Sequence, residues 1–188
     1  YWRDWSSDVC SSDLADSLLA ATGCRFVANI AAAGAGGVAA GGAIGAGSAL
    51  GGVAPQTTVT RSLFRSNRAI AGPGGVAFGG ACAGTEGSLE IASATFTSNL
   101  ASAPAGAPGG VACGGAIAIG RPAADRGDQP ASLVIRASTV SRNSAEGARA
   151  VGGGIFAGSL APGATPTVRI VASRVTRNSP DDIAVEPA

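Results

Sequence analysis

Beyond residue 14 the acidic side chains are Asp16, Glu86, Glu90, Asp125, Asp128, Glu146, Asp181, Asp182 and Glu186. Two carboxylates held about 5 to 9.5 Å apart could cleave a glycosidic bond. Glu86 with Glu90, and Asp125 with Asp128, are close in sequence, but neither pair recurs at matching positions of the repeats set out below. No catalytic residue is therefore assigned. The chain has His 0 and no lysine, which excludes general acid or base work by histidine and Schiff-base chemistry by lysine. Zinc sites built on histidine go with them, and Cys 4 without a Cys-x-x-Cys pair argues against a thiolate site. The expectation is no metal and no cofactor.

Arginine carries the remaining chemistry. Arg142 and Arg177 each precede an asparagine at the same repeat position. Two stacked guanidinium groups suit a carboxylate or sulfate on a glycan, and outward, solvated arginines would give the same pattern. The longest loop holds Arg126, Gly127 and Asp128. This is the tripeptide that host integrin receptors read, and it is equally an ordinary charged turn. Lys+Arg 13 against Asp+Glu 12 leaves a net charge of +1, which gives no electrostatic case for nucleic acid.

These residues must be held by an unusual scaffold. The chain is 46% hydrophobic but only 4% aromatic, and contains Gly 30. Two motifs alternate along it. Gly36-Gly37-Val38-Ala39-Ala40-Gly41-Gly42-Ala43-Ile44 returns as Gly74 to Cys82 and as Gly109 to Ile117, with a degenerate copy ending in Gly152-Gly153-Gly154-Ile155. The second motif has alternating apolar residues and ends in asparagine, as in Leu89-Glu90-Ile91 leading to Phe96-Thr97-Ser98-Asn99. Its asparagines, Asn29, Asn67, Asn99, Asn143 and Asn178, lie 38, 32, 44 and 35 residues apart.

An apolar period of two, with glycine throughout, predicts strands rather than helices. Each unit reads as a glycine-led strand, a variable loop, a strand with Leu/Val-x-Ile alternation, a short strand with Phe or Val inward, and an Asn turn. Stacked about 4.8 Å apart, such units form a parallel β-solenoid. Ile44, Cys82, Ile117 and Ile155 would make one inward column. Val59, Ile91, Ile135 and Ile170 would make a second, and Phe26, Phe64, Phe96, Val140 and Val175 a third. The five asparagines are expected at sharp turns, in left-handed backbone geometry, with their amides bonded in a structural ladder. Cys24, Cys82 and Cys113 are expected as small buried apolar groups. The glycine motifs carry no Asp, so no calcium ladder is expected, and the uncharged stretch between Arg25 and Arg61 is too glycine-rich to span a membrane as a helix.

Gly41-Gly42-Ala43-Ile44 and Gly114-Gly115-Ala116-Ile117, alternating with Phe26-Val27-Ala28-Asn29, Phe64-Arg65-Ser66-Asn67 and Phe96-Thr97-Ser98-Asn99, resemble the repeats of the polymorphic outer-membrane protein family. Val140, Val175 and Cys82 depart from that pattern. The resemblance covers residues 15 to about 182, within parallel β-helix repeats assigned to residues 15–188. It implies an all-β, right-handed parallel β-helix of about four to five coils, truncated, from an autotransporter passenger region at the outer-membrane surface or secreted. It further implies a non-catalytic stalk or adhesin whose loops bind a host or bacterial surface receptor or a glycan. The alternative on the same scaffold is a lyase-like, hydrolase-like or carbohydrate-binding β-helix acting on extracellular polysaccharide. Residues 1–14, with a duplicated Ser-Ser-Asp and both tryptophans, resemble a translated sequencing adapter and are expected to be a non-native disordered tail. A chain opening at Tyr1 with Met 0 is expected to be a fragment.

Overall fold

The computed structural model describes residues 18–47, 54–105, 109–122, 131–160 and 165–186. Among them every regular element is a β-strand, and all strand pairing is parallel. The chain visits five sheets in fixed order and returns to each one a pass later. Sheet A stacks Leu18–Thr22, Gln56–Thr60, Gly87–Ala92, Ala131–Arg136 and Thr167–Val171. Sheet B stacks Arg25–Val27, Leu63–Arg65, Thr95–Thr97, Thr139–Ser141 and Arg174–Thr176. Sheet C holds Ile30–Ala32, Arg68–Ile70, Leu100–Ser102 and Ser144–Glu146, and sheet D holds Val38–Ala40, Val76–Phe78, Val111–Cys113 and Arg149–Val151. Sheet E closes each pass with Ile44–Ala46, Cys82–Gly84, Ile117–Ile119, Ile155–Ala157 and Ile183–Val185. This stacking is that of a β-solenoid.

The three inward columns are in register. Cys82 pairs with Ile44 and Ile117, and Ile117 with Ile155. Ile91 pairs with Val59 and Ile135, and Ile135 with Ile170. Phe64 lies between Phe26 and Phe96, with ring centroids 4.6 and 4.4 Å away and the rings nearly parallel. A fully buried Ile or Phe contributes about 2 kcal/mol relative to exposure. These columns, from sheets A, B and E, make the main core.

The unit has five strands where the alternation alone predicts three. One addition follows each of Asn29, Asn67, Asn99 and Asn143. Its three residues have an alanine at the centre (Ala31, Ala69, Ala101 and Ala145), so it offers no bulky apolar contrast to read. The other comes from the glycine motif, which breaks into two strands where Gly41, Gly79, Gly114 and Gly152 take φ of 62°, 71°, 66° and 60°. A side chain at that angle is strained, so glycine is the residue that turns the chain there.

The second glycine of each pair acts by close approach. A Cβ on Gly42 would overlap the backbone of Arg68 and Gly80. On Gly80 it would meet Leu100 and Gly115, and on Gly115, Ser144 and Gly153. The turn between sheets D and E is thus pressed against the start of sheet C, immediately after the asparagine turn. This contact explains why the two motifs alternate: each shapes the other's surroundings. It also divides the interior, leaving a small second core between sheets C and D made of alanine, including Ala39, Ala69, Ala77, Ala101 and Ala112. On the other face of sheets D and E, Phe78, Cys113 and Phe156 form a third cluster, with Phe78 and Phe156 edge to face at 5.9 Å. The first four strands of sheet E are therefore buried on both sides.

The asparagines form a continuous hydrogen-bonded line. Asn99 is typical. Its Nδ2 donates to Asn143 Oδ1 at 2.9 Å and to the Phe64 carbonyl at 3.1 Å, and its Oδ1 accepts from Asn67 N and Nδ2, both at 2.9 Å. Both amide hydrogens and both oxygen lone pairs are used, in a side chain 1% exposed. The line ends at Asn178, whose backbone N–H and Nδ2 both donate to Asp182 Oδ1 at 2.9 Å. Asp182 stands where a further asparagine would be. From there the chain goes directly to sheet E, touching sheet C only at the Ser144–Ser179 bridge. Removing this acceptor in Asp182→Ala should speed amide exchange in Ile183–Val185 about tenfold, with Asp182→Asn restoring most of the protection. Unchanged exchange in the alanine variant would show that the terminal carboxylate does not fasten the last strand.

Candidate functional site

The asparagine turns place the two predicted arginines, by a rule that differs from the expected one. The left-handed residue is the one before each asparagine: Ala28, Ser66, Ser98, Arg142 and Arg177, with φ of 58°, 57°, 55°, 58° and 61°. The asparagines themselves are excluded from that geometry because their side chains point into the line of amides. The turn between sheets A and B repeats the scheme. Arg61, Ser93, Ala137 and Ala172 are left-handed there, and Ser62, Ser138 and Ser173 follow, each accepting a backbone N–H from the preceding pass. Each non-glycine residue in this region costs of order 1 kcal/mol or more. Cross-pass bonds such as Ser66 N–H to Thr97 O and Ala137 N–H to Val171 O offset it. The sequence signal for the serine positions was present, as each lies five residues before an asparagine.

Arg142 and Arg177, one residue beyond the paired Ser141 and Thr176, therefore sit on adjacent passes at the same turn. They line a shallow groove of about 210 Å³ with Thr139, Ser141, Arg174 and Thr176. Arg174 pairs with Thr139 across sheet B, and motif alignment alone did not single it out. A second depression of about 110 Å³ on sheet A is lined by Thr58, Thr60, Glu90, Val134 and Arg136, among others. Arg136, Arg142, Arg169, Arg174 and Arg177 are all exposed, and none forms an ion pair among the described residues.

Charge is sharply segregated. Sheets A and B with their following turns carry Arg25, Arg61, Arg65, Arg136, Arg142, Arg169, Arg174 and Arg177 against one acid, Glu90. The other described residues carry Arg68, Arg121 and Arg149 against Glu86, Glu146, Asp181, Asp182 and Glu186. Arg149 and Glu186 pair with each other. The near-zero net charge conceals this division.

The candidate acid pairs fare differently. Glu86 is 3% exposed in the turn between sheets E and A, whereas Glu90 is exposed on a strand of sheet A. One carboxylate is therefore buried and the other exposed to solvent. Asp125, Arg126, Gly127 and Asp128 lie outside the described residues, as do residues 1–14. Cys82 and Cys113 are buried and unbridged and belong to different clusters, while Cys24 is unbridged and half-buried. Burial pushes both buried thiols up, that of Cys113 to about 12. Among the described residues no group of three Cys, Asp or Glu side chains is placed to hold a metal ion, and no helix is long and apolar enough to cross a membrane.

No protein-family model matches this chain, and neither a curated protein nor a solved structure matches it.

Proposed function

We propose that this chain is a non-catalytic, right-handed β-helix segment of about four to five coils, from a secreted or outer-membrane surface protein, that contacts a glycan or a receptor on a host or bacterial surface. It would serve in the manner of an autotransporter passenger, as a stalk that displays a binding face. The observation that carries this reading is the outer surface of sheets A and B: threonine, serine and arginine interspersed with Val27, Leu63, Ala92, Val134 and Val171, and Glu90 as the single acid. Stacked strands hold such columns at fixed spacing, which suits repeated contacts with an extended partner. A polysaccharide lyase or hydrolase on this scaffold would instead need acids grouped across adjacent passes.

The test is incubation of the 188-residue chain with arrayed plant, microbial and host glycans, scoring retention and newly formed reducing ends separately. Retention without release is expected. Release of new sugar ends would overturn the non-catalytic reading in favour of a polysaccharide-active enzyme.

A further inference from the structure

Resting on that display function, we propose that sheets A and B of the last two passes form a binding face for an acidic polysaccharide, its sulfate or carboxylate groups held by Arg136, Arg142, Arg169, Arg174 and Arg177. These five side chains come from two adjacent passes: Arg142, Arg174 and Arg177 line the groove with Thr139, Ser141 and Thr176, Arg136 lines the depression on sheet A, and Arg169 lies on the adjoining strand of that sheet. All are exposed and free of ion pairs among the described residues. Successive passes are about 4.8 Å apart and residues along a strand about 3.3 Å, so guanidinium groups recur on the scale of charged groups along an extended sugar chain. Guanidinium forks bind carboxylate and sulfate oxygens through paired hydrogen bonds. The intervening hydroxyl columns can donate to and accept from sugar hydroxyls.

Two further observations favour a polysaccharide over a nucleic acid. The phenylalanines of sheet B point inward, Phe64 and Phe96 being completely buried, so this face offers no aromatic platform for bases. Its remaining polar side chains, Thr139, Ser141 and Thr176, carry hydroxyls that can pair with sugar hydroxyls. The nearby acids, Glu90, Asp181 and Asp182, form no ion pair with these arginines. Glu90 is on the preceding pass, and Asp182 accepts two hydrogen bonds from Asn178.

The arginines also occupy columns that accept other residues in this same chain. Ser66 and Ser98 stand at the Arg142 and Arg177 position, Thr95 and Thr139 at that of Arg174, Thr58 at that of Arg169, and Ala92 at that of Arg136. The variant Arg136→Ala, Arg142→Ser, Arg169→Thr, Arg174→Thr, Arg177→Ser therefore removes the charge with residues the fold already uses.

The decisive experiment measures binding of the 188-residue chain to immobilised heparin, polygalacturonate, neutral dextran and duplex DNA at low and high salt. Retention by heparin, polygalacturonate or both, weakened by salt and absent on dextran, is expected, and the two acidic matrices distinguish sulfate from carboxylate. The five-site variant should lose at least about tenfold in affinity while keeping its circular dichroism spectrum. Glu90→Thr, matching Thr58 in its column, should bind about twofold more tightly. This second variant decides the matter if the first does not fold. Undiminished binding by the five-site variant, no gain from Glu90→Thr, or equal retention by DNA would overturn the proposal. Failure to bind any acidic polysaccharide, with no sugar ends released, removes this inference and leaves the non-catalytic reading standing.

Discussion

Gly115→Ala should destabilise the protein by upwards of about 3 kcal/mol, lowering the thermal midpoint by roughly 10 °C. The added methyl would overlap the carbonyl oxygens of Gly153 and Ser144, which belong to the next pass. Both obstacles are backbone, so no side-chain rotation relieves them. Separating them would pull the turn between sheets D and E away from sheet C and disturb the neighbouring asparagine line. Gly34→Ala is the control. Its Cβ meets nothing within 4 Å, and its backbone lies outside the strained region. That substitution should be neutral or stabilising by up to about 1 kcal/mol, because it restricts only the unfolded chain. Equal melting curves for the two variants would show that the close contact between turn and strand is not what holds the passes in place.

The second large effect is expected at Asn99. Asn99→Ala removes the acceptor for Asn67 N and Nδ2 and the donor for Asn143 Oδ1 and the Phe64 carbonyl. Each buried group left without a partner costs about 1–3 kcal/mol, and these share one cavity, so the loss should total about 4 kcal/mol rather than their sum. Asn99→Asp is more informative. It keeps an oxygen for Asn67 but turns a second acceptor toward two acceptors. It should be as damaging as alanine at neutral pH and recover partly in acid, where protonation supplies the missing donor. Urea unfolding at pH 7 and pH 4 measures both effects. An aspartate variant indifferent to pH would mean that the amide line does not depend on alternating donors and acceptors.

Much of this architecture was legible because some columns have strong chemical contrast. Ile91 and Ile135, or Phe64 and Phe96, are bulky residues among small ones, and aligning the motifs places them above one another. The strands centred on Ala69 and Ala101 were not legible, since alanine in an alanine-rich chain marks neither face. The left-handed turn residues could not be found from preference either. Asparagine is the residue most expected there, but the amide line requires its side chain elsewhere, and Ser98 or Arg142 takes the strained position. The doubled glycines were visible, but the backbone they touch is far along the chain: Gly115 meets Ser144. At the candidate site, Arg142 and Arg177 stood out because they share a motif position. Arg136, Arg169 and Arg174 did not, since they belong to other columns and the acids elsewhere balance them in any whole-chain charge.

The asparagine line also gives the stack a direction. Along it each side-chain amide donates to the side-chain oxygen of the later pass, the other N–H of Asn67, Asn99, Asn143 and Asn178 going to a carbonyl of the preceding pass, and the carboxylate of Asp182 lies at the donor end, as an acidic residue does at the start of a helix. Like a polymer with a blocked terminus, the amide line stops at Asp182, whose carboxylate has no N–H to pass on. A duplicated unit inserted between Asn29 and Asn178 would extend the amide line in phase, whereas units appended after Asp182 would meet that carboxylate and would have to start a new line of their own.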